Sequence, residues 1–452
     1  MASLLVAVGG TGQHMALAAC RLIRLGALPS LRIAVIDADI HGELTQMLQT
    51  FGDTVQAPYT KHPAEGGIGL YPPYDSQQHA DPAFCDLFAS PSPLEKQIFE
   101  TLFEESSAQV RVKEGFFGRP AVGVTVAVKY QESQLRPIWE AARLVAGGDN
   151  IFVTGSLTGG TGAGLVHNVV RGLKKVKASE ARIYGILYLR WFSMPSGAGA
   201  RTTISDDTLN RNMRYGLDYL FRSTARDFHA TLLLGLPNNP PHERLGPVEV
   251  HPGKTGELAH ALHVVGAYGI LKLVDIATKE QTNSAIYGAA LEDPVRLYEE
   301  RWRDGRPLAW YYSRAVWLRD ILRYTCQPRF REELLSTFRR FLATSPRNVG
   351  EGLHKAVGCY LESQRDTVIG EMQKTWELLA RQYDFCLRWL DSVLGALPER
   401  LLAARSKKVD PVREIQNLWR TSPIPEQETP PSPPETARRF HDQLVKAFPD
   451  LP

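Results

Sequence analysis

The stretch NIFVTGSLTGGTGAGLVHNVVRGL, residues 150–173, places a glycine-rich loop between an apolar run and an amphipathic one. The β-branched run before the loop predicts a buried strand, and the spacing of apolar residues after it predicts a helix. The loop itself, TGGTGAG at 158–164, contains no bulky side chain. Either close backbone packing at a turn requires this composition, or an anion that must approach the backbone amides requires it.

A second glycine loop lies near the start of the chain. The stretch VAVGGTGQHMA, residues 6–16, predicts a strand, a glycine turn over GGTGQH and then a helix. Such a turn directs free N–H groups and the positive end of a helix toward a bound anion. It nearly matches the dinucleotide fingerprint, but Met15 stands in place of the final glycine. A tight packing turn also explains this loop, whereas two facing glycine loops in one sheet would enclose a polyphosphate chain.

The acidic stretch VIDAD, residues 35–39, closes the next predicted strand. A dinucleotide site would place Asp37 on a ribose hydroxyl. A phosphate site would instead place Asp37 and Asp39 near Mg²⁺, directly or through water, because this ion prefers oxygen ligands. The third interpretation is a polar strand end without a ligand.

Strand and helix patterns alternate through the first half of the chain, and the strands are apolar. This alternation predicts an α/β fold with a doubly wound parallel sheet and helices on both faces. The composition of residues 52–93 predicts a long irregular insertion, and RPAVGVTVAV at 119–128 is predicted to be extended. Beyond residue 294 the pattern is mostly helical.

Composition narrows the class of protein. A net charge of +3 requires no polyanionic partner, so nucleic acid is not expected as a ligand. The five cysteines form no CxxC pair, which indicates reduced thiols rather than a zinc site. The start MASLLVAVGG lacks the basic segment of an export signal, and no apolar run reaches the length of a membrane span. These features predict a cytoplasmic protein.

The loop TGGTGAG resembles the signature loop of the tubulin/FtsZ superfamily, close to GGGTGSG, with Thr158 and Ala163 as departures. The order of elements is also similar to that family. GFFGRPAVG at 115–123 stands where the family has its γ-phosphate-sensing loop. SAIYGAALEDPVRLYEERW at 284–302 resembles divergent bacterial tubulin-like proteins, and the whole resemblance covers roughly residues 3–300.

The resemblance implies a Rossmann-like GTPase-type domain, joined by a long central helix to a second α/β domain, with a helical C-terminal extension. The expected segments are the nucleotide-binding domain at 1–205, the central helix at 206–228, the second α/β domain at 229–300, the helical region at 301–421, a proline-rich linker at 422–435 and a terminal amphipathic helix at 436–452.

The resemblance also implies a ligand and its contacts. The ligand would be GTP or GDP, with Mg²⁺ near Asp37 and Asp39. Family members bind guanine through an Asn or Asp on the long helix, where both Asn210 and Asn212 lie, and Asp206 would cap that helix or contact the ribose. The residues expected to bind the nucleotide are Gly9, Gly10, Thr11, Gly12, Gln13, Asp37, Asp39, Gly118, Thr158, Gly159, Gly160, Thr161, Gly162, Ala163, Gly164, Asp206, Asn210 and Asn212.

Hydrolysis has weaker support than binding. The family hydrolyses GTP with an acidic NxD-like motif that acts on the nucleotide of the next subunit, and residues 228–257 contain no clear motif of this kind. The leading prediction is therefore a GTP-binding protein that assembles with itself, as a filament or oligomer, or with partner proteins. A catalytically silent regulatory or scaffold subunit is the alternative. A Rossmann-type oxidoreductase is disfavoured, because it leaves the second glycine loop unexplained.

The end of the chain suggests a tethered helix. The linker SPIPEQETPPSPPE, residues 422–435, favours an extended conformation. The helix predicted after it presents Phe440, Leu444 and Phe448 on one side. This apolar side either docks a partner protein or folds back onto its own chain.

Overall fold

The chain divides into two compact units, Met1–Leu297 and Tyr298–Pro452. The computed structural model describes residues 3–39, 42–55, 68–74, 82–88, 92–116, 118–145, 149–193, 205–236, 243–250, 258, 260–280, 284–289, 293–327, 365–398, 401, 434, 437–438, 441–442 and 444–445.

Parallel strands form the centre of the first unit. They are β1 Leu4–Val8, β2 Arg32–Ile36, β3 Ile68–Tyr71, β4 Asn150–Ser156, β5 Arg182–Tyr188, β6 Phe192–Ser193, β7 Ala230–Leu234, β8 Val248–Glu249 and β9 Ala285–Ala289. Seven of them form one sheet in the order β3-β2-β1-β4-β5-β7-β9, and β6 pairs with β8 separately. Every pairing between these strands is parallel. All residues of β1 and β2 are buried, as expected where helices cover both faces of a parallel sheet.

The helices complete an α/β architecture. They are α1 Gly9–Leu25, α2 Glu43–Val55, α3 Pro93–Leu102, α4 Glu105–Ala108, α5 Pro120–Gln134, α6 Arg136–Arg143, α7 Gly160–Val176, α8 Asp206–Tyr219, α9 Ala261–Glu280, α10 Leu308–Thr325 and α11 Arg365–Leu394. Helix α1 packs against α2 and α9, helix α7 packs against α5, α6 and α8, and α1 and α7 also contact each other. The crossovers from β1 to β2 and from β4 to β5 run in opposite directions, so right-handed connections place α1 and α7 on opposite faces. The predicted α/β fold class is confirmed.

Two local predictions are wrong. The turn predicted at 9–14 is helical, because the positive φ of Gly9, +72°, reverses the chain in one residue and α1 begins there. The stretch 119–128, predicted as extended, opens α5 instead. Its β-branched residues favour a strand, but a Cβ on Gly123 would stand 2.8 Å from the Gly160 carbonyl oxygen. This close packing of α5 against α7 overrides the local propensity.

The stretch predicted as an irregular insertion, 52–93, contains regular structure as well. Helix α2 extends into it as far as Val55, and β3 contributes an edge strand at Ile68–Tyr71. A four-residue strand flanked by glycines and prolines gives too short a pattern to recognise from sequence. Its pairing with β2 supplies the structure that its own residues do not specify.

The first sheet continues through the part of the chain assigned from sequence to a second α/β domain. Helix α8 connects β5 to β7, and these two strands pair directly. Strand β9 pairs in turn with β7 at the sheet edge. Helix α8 therefore serves as a crossover within one sheet, followed by a π-helical turn at Leu220–Thr224 and a 3-10 turn at Ala225–Asp227.

Helix α9 is a core helix of this unit. It packs against α1, β5 and β7. Among the described residues it is the one helix long and apolar enough to cross a membrane by length and composition alone, and 56% of its apolar window is buried. A core helix of a folded unit passes the same test.

The second unit is helical where it is described. Helices α10 and α11 pack together, and the Tyr312 hydroxyl lies 2.9 and 3.0 Å from the two carboxylate oxygens of Asp391. The described residues at the C-terminal end lie against α11. The Trp376 indole donates to the Ala437 carbonyl at 3.2 Å, and the Tyr383 hydroxyl lies 2.9 Å from Nε2 of His441.

Candidate functional site

The strand order reverses between β1 and β4. From β1 the chain continues to β2 and β3 on one side, whereas from β4 it continues to β5, β7 and β9 on the other. The connections after the two central strands therefore diverge and leave a crevice at the carboxyl edge of the sheet. Val8 at the end of β1 pairs with Gly155 in β4, so both glycine loops begin at this edge.

The two glycine loops contact each other in the crevice. A Cβ on Gly9 would stand 2.8 Å from the amide nitrogen of Gly162 and 3.2 Å from the Cβ of Thr161. The positive φ of Gly9 disfavours a side chain there as well. The N-termini of α1 and α7 therefore meet at one point.

Within the described part of the chain, neither of these helix N-termini has an anionic cap of its own. Val8 and Gly159, at the N-cap positions, make no side-chain capping hydrogen bond, and neither first turn contains an acidic residue. The first N–H groups of a helix lack intrahelical acceptors and form the positive end of the helix dipole. Two such ends in one crevice form a site suited to an anion.

The loop glycines fall into two groups. A Cβ on Gly12 would stand 2.8 Å from the backbone of β1, and a Cβ on Gly160 or Gly162 would meet neighbouring atoms at 2.7 and 2.6 Å. These glycines are required for packing. A Cβ on Gly10 or Gly159 would meet no described atom within 4 Å. Packing against the described residues therefore leaves these two glycines unexplained.

The other members of the second loop are largely buried. The Thr161 hydroxyl donates to Oδ1 of Asp37 at 3.4 Å, whereas the buried Thr158 hydroxyl has no partner among the described residues. The Ala163 amide donates to the Gly159 carbonyl at 3.2 Å, within the first turn of α7. Gly164 faces α5, where a Cβ would stand 2.7 Å from a backbone oxygen. The loop therefore packs against Asp37 and α5 through Thr161 and Gly164.

Asp37 links the two glycine loops. Its Oδ2 accepts a hydrogen bond from Nε2 of Gln13 in α1 at 2.7 Å, and its Oδ1 accepts from Thr161 of the second loop and from the Ala38 amide. The Thr45 hydroxyl, 3.1 Å from Oε1 of Gln13, fixes the orientation of that amide. Burial, with a smaller contribution from the charge of Asp39, raises the pKa of Asp37 to about 7.

Asp37 and Asp39 can supply part of a magnesium site but not a complete one. No group of three or more His, Cys, Asp or Glu side chains that could hold a metal ion occurs in the described parts of the chain. Mg²⁺ is commonly held by one or two carboxylates together with water and substrate phosphates. Asp37 and Asp39 fit that arrangement, provided that a phosphate group supplies further oxygens.

The third loop, around Gly118, is connected to the second by Asn212. The Asn212 side-chain amide donates to the Gly118 carbonyl at 2.7 Å and lies 3.4 Å from the Thr158 carbonyl. Gly118 has a φ of +68°, a conformation that favours glycine. On the same helix, Gly216 lies against the carbonyl of Leu157, 2.9 Å from the position of a Cβ. Helix α8 thus contacts the second loop at Thr158 and the residue before it, Leu157.

Asn210 and Asp206 are bound to one arginine. Nη1 of Arg190 donates to Oδ1 of Asn210 at 3.0 Å, and Arg190 forms an ion pair with Asp206 at 2.5 Å. The Ser205 hydroxyl, rather than either acidic residue after it, caps α8 by accepting from the Thr208 amide. Base binding by Asn210 or Asn212 stays a prediction, as does a ribose contact of Asp206.

A buried aromatic cluster beneath the first loop was not recognised from the sequence. The Trp191 indole donates to the Thr11 hydroxyl at 3.1 Å and contacts the rings of His14 and His263 edge-on. Burial lowers the pKa of His14 to about 3 and that of His260 to about 4. His14 of α1 stacks on His263 of α9, and Trp191, which contacts both rings, is the residue that bonds to Thr11. Histidines far apart in the chain gave no signal for this cluster.

Fold and site together define an α/β protein with a crevice suited to an anion at the switch point of a doubly wound sheet. No protein-family model matches the chain, and no curated protein matches it. It is similar to a GTPγS-bound protofilament of CetZ2 from Haloferax volcanii, at 14% identity and a TM-score of 0.33 over 63% of this chain and 64% of that chain. It is also similar to CetZ from Methanosaeta thermophila strain DSM 6194, at 15% identity and a TM-score of 0.33 over 61% and 54%. Both are tubulin/FtsZ-family proteins, and the match spans less than two thirds of either.

Proposed function

We propose that this protein binds a guanosine polyphosphate, GTP or GDP, in the crevice between β1 and β4. The observation that carries the proposal is the meeting of two uncapped helix N-termini beside Gly10 and Gly159, where a Cβ on either glycine would meet no described atom within 4 Å. Free backbone amides at such a point bind phosphate. The guanine base rests on the resemblance of TGGTGAG to the tubulin/FtsZ signature loop.

Magnesium would bind with the nucleotide rather than before it. Asp37 and Asp39 would supply carboxylate oxygens directly or through water, and the phosphates would supply others. The divalent charge would favour ionised Asp37, against the burial that raises its pKa to about 7. The chain's own contribution is to hold Asp37 between Gln13 and Thr161.

We further propose that nucleotide-bound copies assemble into an oligomer or filament. Gly10 is exposed and Gly159 is half-buried, so a nucleotide held there would form part of the surface. A second copy that covered this edge would contact the ligand as well as the protein. Residues 237–242 and 251–257 of the segment in which the family carries its hydrolytic acid lie outside the described residues.

The experiment compares Gly159→Val with Gly288→Val. Both replace a glycine that has open space around it, but Gly288 lies in β9, away from the crevice. The φ of Gly159, −75°, is compatible with valine. The nucleotide released from the purified wild type is identified by chromatography, and fluorescent GTP is titrated onto all three proteins.

We expect GTP or GDP from the wild type, normal binding by Gly288→Val, and loss of binding by Gly159→Val with a melting temperature equal to that of the nucleotide-free wild type. The bulky side chain would hold the phosphate away from the amides. Equal affinity of Gly159→Val and wild type would contradict the proposal. A released nicotinamide dinucleotide would favour the oxidoreductase instead. Turnover of GTP that stays undetectable over a range of protein concentrations would favour the catalytically silent subunit.

A further inference from the structure

Three loops line the crevice in a fixed order. The first loop touches the second, because Gly9 lies against Gly162. The second loop touches the third, because a Cβ on Gly160 would stand 2.8 Å from the backbone of Phe116. The second loop therefore lies between the other two. A phosphate chain that starts at the first loop reaches the third loop only if it is long enough.

Asn212 forms hydrogen bonds to both the second and the third loop. Its amide nitrogen carries two hydrogens, and carbonyl oxygens of Gly118 and Thr158 lie 2.7 and 3.4 Å from it. These two acceptors belong to the third and second loops. One side chain thus connects the second loop to the third.

Close contacts hold helix α8, which carries Asn212, in place. Within the helix, Gly216 lies against Leu157 too closely to admit a Cβ. Beyond its end, the Thr224 hydroxyl lies 2.7 Å from Nδ1 of His167, and Lys174 pairs with Asp227 at 2.7 Å. Both latter contacts join the segment after α8 to α7, the helix that begins with the second loop. A positioning group on a rigid element holds its partners accurately.

From this arrangement we propose that Asn212 is a positioning residue that sets the width of the crevice for the terminal phosphate, and so favours GTP over GDP. The proposal rests on the proposed function, nucleotide binding in this crevice. It gives the Asn212 amide a role on the loops rather than on the base. A base contact would act on GTP and GDP alike, whereas the spacing of the second and third loops acts more strongly on the triphosphate, because only a longer phosphate chain would reach the third loop.

The test measures GTP and GDP affinities of Asn212→Leu, which keeps the size of the side chain but removes both donors. We expect GTP affinity to fall roughly tenfold and GDP affinity to change less than about twofold. Asn212→Gln, which retains the donors, should recover part of the preference. The matched control is Asn210→Leu on the same helix, because Asn210 bonds to Arg190. It should shift both affinities alike.

A merely structural role of Asn212 would lower both affinities in parallel and would overturn the inference, as would an unchanged ratio of GTP to GDP affinity. If Asn212→Leu does not fold, the same ratio is measured on Asn212→Ala. A wild type that binds neither nucleotide overturns the proposed function and the inference with it. A wild type that binds both, with a ratio insensitive to residue 212, overturns the inference alone.

Discussion

The folded structure disfavours the charged form of the Asp37 carboxyl group, because this group is buried. Burial raises the pKa of Asp37 from 3.8 to about 7. Between these values the folded protein binds a proton that the unfolded chain has released. The free energy of unfolding that Asp37 contributes therefore falls as pH rises from 3.8 to about 7. Above about pH 7 both states are deprotonated, and this contribution falls no further.

Asp37→Asn removes the buried charge, but its amide nitrogen replaces an oxygen that accepts from Gln13 or from Thr161 and Ala38. We therefore expect the stability of the nucleotide-free variant relative to the wild type to be about 2–4 kcal/mol more favourable near pH 8 than near pH 5. Urea unfolding at both pH values measures it. Asp275→Asn removes an exposed carboxylate from α9 and serves as the control, with little change at either pH. A pH-independent effect of Asp37→Asn would contradict the buried-charge explanation.

At the scale of elements, the end of the chain is already packed. Ala437 and Leu444 are fully buried, and His441 is nearly so. The bonds from Trp376 and Tyr383 place this segment against α11. Of the two alternatives left open by the sequence, the described residues favour folding back onto the same unit. A partner that docked here would first have to displace these contacts. Phe440 and Phe448, and the linker apart from position 434, lie outside the described residues.

Leu444→Ala should destabilise the second unit by about 2–4 kcal/mol, because it leaves a cavity where a leucine is fully buried. Leu378→Ala makes the same change at a position 47% exposed on α11 and should cost less than about 1 kcal/mol. Thermal unfolding of both variants measures the difference. Equal, small effects would mean that the terminal segment does not pack on α11 in solution, and would restore the docking hypothesis.

At the scale of the whole molecule, the proposed nucleotide lies at an open edge and would contribute to a contact between copies. We expect sedimentation of the wild type to show larger species with GTP than with GDP, increasing with protein concentration. The Gly159→Val variant should sediment only as small species with either GTP or GDP, whereas the Gly288→Val variant should behave as wild type. Identical sedimentation of the wild type with and without nucleotide would contradict nucleotide-dependent assembly.

The α/β fold and the two glycine loops could be predicted from the sequence alone. Strands such as β4 and helices such as α7 depend on the spacing of apolar residues within one short stretch. The positions of Gly9 and Asp37 at the ends of adjacent strands followed from that order. Local patterns therefore located the two glycine loops and Asp37 in the chain, whereas the strand order brings them together.

Only the tertiary structure decided what each residue does there. The sequence does not distinguish Gly160, which packs against Phe116, from Gly159, which has open space beside it. The sequence predicted an extended stretch at 119–128, because it does not show that Gly123 packs against Gly160. It also separated β7 and β9 from the first sheet, because it does not show the pairing of β7 with β5 and β9. The pairing of Asn212 with Gly118 joins residues far apart in the chain. Such contacts depend on the packing of whole elements, and no local pattern of residues encodes them.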